Sequence, residues 1–254
     1  MAEVKVVLDS LDTATPRVPR AFTAKSFAKS AYLAIALGLM GTIAWGFWPS
    51  YFRPLANGTL SRPWIVHVHA IVFVGWVVLL VAQAALIATG RGRLHRQVGQ
   101  AGIAYGAVVL LMGLIVSVAM PVMHVHASQL PVESAGLVVL YNLTDIVIFA
   151  GFFISAIHAR HRPEFHARLI LSATIALTGA AVGRVIQGGT PLYLLIWLAP
   201  LLASMITDLV IQRRLHPVSS ISAPVFLMSF FKVPLFALSP VWPKVGGVLM
   251  SPFL

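Results

Sequence analysis

Trp64-Ile-Val-His67-Val-His69-Ala-Ile-Val-Phe-Val-Gly-Trp76-Val-Val-Leu-Leu-Val-Ala-Gln83-Ala-Ala-Leu-Ile-Ala-Thr89 runs directly into Gly90-Arg-Gly-Arg-Leu-His95-Arg-Gln-Val-Gly99. Residues 64–89 contain no Lys, Arg, Asp or Glu. A helix needs about 20 apolar residues to cross a bilayer core, and this stretch supplies them without interruption. Three arginines, Arg91, Arg93 and Arg96, then close it. A long apolar run ended by a basic cluster is the pattern of a spanning helix whose loop stays on the cytoplasmic side.

The rest of the chain repeats that pattern. Apolar stretches lie at 30–52, 98–122, 135–159, 168–188 and 191–212, giving six strong spans with 64–89. A weaker seventh at 222–239 carries Lys232 and is interrupted by Pro224 and Pro234. The fold expected is therefore all-α: a polytopic transmembrane helical bundle with six strong and one weak spanning helix over residues 27–254. It follows a solvated tail, residues 1–26, that lacks the apolar run of a cleaved signal peptide.

Of 254 residues, 59% are hydrophobic and only 10% charged, against roughly a quarter charged in soluble domains. Soluble enzymes and disordered chains are excluded on that count. The 18 Lys and Arg against 7 Asp and Glu would point to nucleic acid in a soluble protein. Here no nucleic-acid partner is expected, because the basic residues sort by loop. With the N-terminus inside, Lys5, Arg17, Arg20, Lys25, Lys29 and the clusters at 91–96, 160–168 and 213–214 are all cytoplasmic, and only Arg53 and Arg62 lie outside. This asymmetry predicts a bacterial inner-membrane protein with a cytoplasmic N-terminus. Trp45, Trp48, Tyr51, Trp64, Tyr193 and Trp197 then form an aromatic belt at the outer interface. The absence of cysteine removes disulfides, thiolate ligation and thiol catalysis.

Nine histidines are many for a chain this poor in charge. On a helix His67 and His69 point about 200° apart, so only one faces the bundle. His69 shares a stripe with Trp76 and the polar Gln83, and is expected inward. His124 lies at the same depth. His95 and His158 lie near the inner face, His158 sharing a stripe with Thr144 and Gly151. Two layers of paired imidazoles match the needs of two b-type haems, with a glycine stripe at Gly99, Gly102, Gly106 and Gly113 for a flat macrocycle. The same stripe also serves plain helix packing. Asp145 and Arg184, both inside predicted spans, are expected to pair, Arg184 being the candidate for a haem propionate or a quinone carbonyl. Asp208 reads as solvated at a helix end beside Arg213.

Three strings carry a resemblance: His67-Val-His69-Ala70, Gly90-Arg91-Gly-Arg-Leu94-His95-Arg96-Gln-Val-Gly99 and Arg162-Pro163-Glu-Phe-His166-Ala-Arg168-Leu169. Together they resemble an uncharacterised family of small multi-pass bacterial inner-membrane proteins with His-Arg turns, over roughly the second to sixth spans. More loosely, the Leu-His-Arg-x-x-Gly turn resembles b-type cytochromes of the cytochrome b561 and ferric-reductase kind. The first resemblance implies a membrane location, the second haem b.

Candidate haem ligands are thus His69, His124, His95 and His158, with Arg184 beside a propionate and transmembrane electron transfer as the function. The competing reading is a non-enzymatic accessory or assembly subunit docked through its small-residue stripes in a larger membrane complex. A transporter through Gln83, Asp145 and Arg184, a Zn or Cu site from the two His-x-His pairs, an iron site at His158, His161 and His166, and a Lys232 Schiff base are weaker alternatives.

Overall fold

The computed structural model describes residues 24–186, 188–239 and 241–254; most of the expected N-terminal tail lies outside these. The described residues are helical throughout, with no strand. Eight helices carry the fold: α1 Ala24–Phe47, α2 Trp64–Ala88, α3 Gly92–His126, α4 Val132–His158, α5 Pro163–Ala176, α6 Pro191–Gln212, α7 Pro217–Ala237 and α8 Val241–Met250.

Among the described residues, five helical stretches are long and apolar enough to cross a membrane: Ser26–Ala56, Trp64–Ala88, Gly92–His126, Val132–His161 and Pro191–Gln212. The first continues α1 through a π-helical turn, Trp48–Phe52, and a short helix, Arg53–Ala56. Apolar side chains face outward: Ile71 on α2, Val147 on α4, Val210 on α6 and Met228 on α7 are all more than 60% exposed. Polar groups such as Ser117, Thr174, Ser204 and Asp208 are buried. That inversion of the usual order suits a lipid exterior. The protein is an integral membrane protein.

Local chemistry sets the helix ends. Pro163 and Pro191 occupy first-turn positions of α5 and α6, where the missing N–H costs nothing. Thr190 caps α6 by accepting from the Tyr193 N–H at 3.2 Å, and Arg213 ends α6 in the left-handed region at φ +54°. Glu133 sits in the first turn of α4, at the positive end of its dipole.

The expected span at 168–188 is not a continuous helix, and this corrects the count of six. α5 stops at Ala176 after 14 residues, and Gly179–Val182 adds only one short turn. At 1.5 Å per residue α5 is about 21 Å long, short of the roughly 30 Å hydrocarbon core. Irregular backbone at membrane depth needs protein partners for its carbonyls, and it has them. Trp197 Nε1 and Thr178 Oγ1 donate to the Ile175 carbonyl at 3.0 and 2.8 Å, and Tyr193 Oη donates to the Gly179 carbonyl at 3.3 Å. α1 supports the break through Gly46, where a Cβ would strike the Ala181 carbonyl. The weak seventh stretch forms α7, a 21-residue helix that is not among the five.

The core is aromatic. Trp76 meets Phe149 and Phe153 edge-on, with ring centres 5.5 and 5.6 Å apart, while Phe226 is wedged against Trp197 and Phe152. Edge-to-face contacts of this kind add about 1 kcal/mol each beyond area burial. A smaller cluster of Val122, Ala135, Val139 and Met250 fastens α8 to α3 and α4. There Gly136 and Gly246 bring two backbones into direct contact.

Candidate functional site

Two cavities enter the bundle toward opposite ends of α2. The upper one, about 500 Å³, is reached from the end of α2 that holds His69. The lower one, about 410 Å³, lies at the end holding Gln83. Trp76 lines both. Its indole is the shared wall, held by a 3.2 Å bond from Nε1 to Thr174 Oγ1 on α5. Both volumes fall in the usual range for small-ligand sites, about 300–1,000 Å³.

The upper cavity gathers His69 from α2, His124 from α3, Asn142 and Asp145 from α4, Arg184 from the loop after the broken helix, and Arg62 from the loop before α2. His69 has a buried Nδ1 with no hydrogen-bond partner, and its ring lies against Phe73, the centres 4.4 Å apart and the planes tilted by 49°. His67, one face round, is occupied: its Nδ1 bonds to Tyr51 Oη at 3.0 Å. His124 makes no side-chain hydrogen bond among the described residues. Arg184 makes one long bond, 3.4 Å to Ser50 Oγ, and lies 4.6 Å over the Phe47 ring. Arg62 and Arg184 are exposed at the cavity mouth.

The expected Arg184–Asp145 pair is not made. Asp145 forms its ion pair with Lys232 of α7 and also accepts from Ser229 at 3.4 Å, while Lys232 donates to the Tyr141 carbonyl at 3.1 Å. Arg184 is left without a carboxylate among the described residues. The second correction concerns Asp208. It is buried and paired with Arg168 of α5, and Ser219 donates to its second oxygen at 3.1 Å. Arg213, its expected neighbour, plays no part among the described residues.

The lower cavity holds His95, but His158 is not with it. His158 is exposed and donates its Nδ1–H to the Ile154 carbonyl one turn back, at 2.8 Å. His166 takes the place beside His95, the ring centres 6.4 Å apart and the planes at 84°. Sequence reasoning counted depth along each helix. It missed that the Ala159–His161 turn folds α5 back so that His166 Nδ1 bonds to the Ala156 carbonyl of α4 at 2.9 Å. The signal available was the Arg162-Pro163-x-x-His166-x-Arg168 string. Among the described residues no group of three or more His, Asp or Glu gathers.

No family model, no curated protein and no solved structure matches the chain. The site is therefore read from its own geometry.

Proposed function

We propose that this protein is a bacterial inner-membrane electron carrier that binds haem b in the upper cavity, with its N-terminus in the cytoplasm. One observation carries the reading. Among the described residues, His69 with a buried, unpartnered Nδ1, His124 without a side-chain hydrogen bond, and two guanidiniums without carboxylate partners converge on one apolar cavity of about 500 Å³. A buried polar atom left unpaired costs about 1–3 kcal/mol, and a ligand that pairs His69 Nδ1 recovers that cost.

The residues fit the group. His69 and His124, from neighbouring helices, would hold the group through imidazole nitrogens, and Arg62 and Arg184 at the mouth would pair with its carboxylates. Haem would supply a one-electron redox centre there. The chain itself lines the cavity with the apolar side chains of Phe73, Trp76 and Val77, and pairs Asp145 with Lys232 rather than with the arginines. The reading assigns one haem, since His95 and His158 do not meet at one cavity.

The test is an absorption spectrum of detergent-purified protein from haem-replete cells, oxidised and then dithionite-reduced. A Soret band that shifts on reduction, with sharp α and β bands, is expected. His69→Ala and His124→Ala each abolish it, and His158→Ala leaves it intact. A featureless visible spectrum from folded protein overturns the reading.

A further inference from the structure

The lower cavity contains a donor and an acceptor fixed by their second contacts. Gln83 of α2 reaches across to α3, where its amide N donates to His95 Nδ1 at 2.6 Å and to the His95 carbonyl at 3.2 Å. Its amide O accepts from the Gly99 N–H at 2.9 Å. The backbone groups fix this amide orientation, since a carbonyl only accepts and an N–H only donates. His95 Nδ1 is therefore an acceptor, and the ring proton of the neutral imidazole sits on Nε2. His166 is the mirror case. Its Nδ1 faces the Ala156 carbonyl, so Nδ1 carries the proton and Nε2 keeps a lone pair. These tautomers are assigned from their partners. Both rings line the lower cavity, 6.4 Å apart, and no bond joins them.

One N–H donor and one lone pair facing a common apolar space select a group that accepts and donates at a single atom. A hydroxyl does this, whereas a carbonyl, an ether or a carboxylate does not. The cavity beyond suits an apolar body: Trp76, Leu80, Phe153 and Ile157 are among its lining side chains. We propose that the lower cavity binds a phenol or hydroquinone head, its hydroxyl held between His95 Nε2–H and His166 Nε2, with Gln83 as the positioning residue that fixes the His95 tautomer. The proposal is independent of haem in the upper cavity.

The experiment is isothermal titration calorimetry on the full chain in one detergent under argon. The probes are a decyl-substituted hydroquinone and its bis-methyl ether, which share ring and tail, the ether being unable to donate. Saturable binding of the hydroquinone is expected, with the ether at least tenfold weaker. His166→Ala weakens hydroquinone binding about tenfold and brings the two probes together, Gln83→Leu weakens both probes by releasing the His95 tautomer, and His158→Ala leaves both affinities unchanged. Each variant is compared as a monodisperse peak on gel filtration, and Gln83→Glu is a second route should Gln83→Leu fail to fold. Its carboxylate accepts from His95 and reverses the tautomer, so the donor to the probe oxygen is lost and both probes bind more weakly, while the preference set by His166 remains. Equal affinity for the two probes, no hydroquinone binding up to its solubility limit, an undiminished preference in folded His166→Ala, or undiminished affinity in a folded Gln83 variant overturns the proposal.

Discussion

Replacing Asp208 by Leu strands a positive charge, and the size of the effect follows from the surroundings of Arg168. Its Nε donates to both Asp208 oxygens, at 3.1 and 3.2 Å, one terminal nitrogen closes the ion pair with Oδ1, and the other donates to the Glu164 carbonyl at 2.6 Å. Tyr32 lies beneath at 5.7 Å. The side chains are 7% and 1% exposed, so solvent cannot take over. Removing one partner of such a buried pair costs about 3–5 kcal/mol, whereas replacing both by apolar residues of similar volume is close to neutral. With roughly 2–4 °C of melting temperature per kcal/mol for a chain of this size, Asp208→Leu should lower Tm by about 6–20 °C. Arg168→Met with Asp208→Leu should recover most of that loss. The assay is thermal unfolding in detergent, followed by intrinsic fluorescence and by the surviving gel-filtration peak. A double variant no more stable than Asp208→Leu alone refutes the reasoning, because the damage would then come from lost shape rather than from a stranded charge.

Three further outcomes follow from other contacts. Lys232→Met should destabilise by about 3 kcal/mol by leaving Asp145 unpaired, and Asp145→Asn in the same chain should restore part of it; additive losses in a double-mutant cycle refute the pairing. Gly246→Val forces a side chain against the Gly136 backbone, costing about 1–3 kcal/mol as overpacking. It should make the C-terminal segment the first site of limited proteolysis, and an unchanged cleavage pattern contradicts this. His216 lies in the loop after α6, buried against Phe165, with Nδ1 accepting from the Val218 N–H at 3.2 Å. Burial, and then the Arg168 charge, hold its pKa below the ordinary 6.5. The unfolded chain therefore takes up the proton first as pH falls, so this contribution to stability is full above pH 6.5 and is lost below it. His216→Gln should flatten the fall in Tm between pH 7 and pH 5; an unchanged slope refutes the assignment.

The membrane class and five spans were legible because apolar length and basic loops are local properties. So was the choice of His69 over His67 as the ring that lines the cavity, since one helix's periodicity decides it. The break at Leu177–Thr178 was not. Ala173, Ala176 and Ala180 are as apolar as any span, and the groups that make an interruption tolerable, Trp197 and Tyr193, sit on a different helix. The partner of Asp145 was misread for the same kind of reason. Lys232 is 87 residues away on a helix whose prolines argued against a span, and depth alone made Arg184 look nearer. His166 was passed over for His158 because the return angle of a short turn is set by packing, not by composition.

Trp76 has an electrical consequence. Each cavity, once hydrated, brings a high-dielectric medium up to one face of the same indole. The transmembrane voltage then falls mainly across the layer of Trp76, Phe149 and Phe153 rather than across the full thickness of the bundle. A charge moved past that layer exchanges about 2.3 kcal/mol with each 100 mV of membrane potential, although it travels only the width of a few rings. A single aromatic layer thus becomes the place where membrane potential is felt.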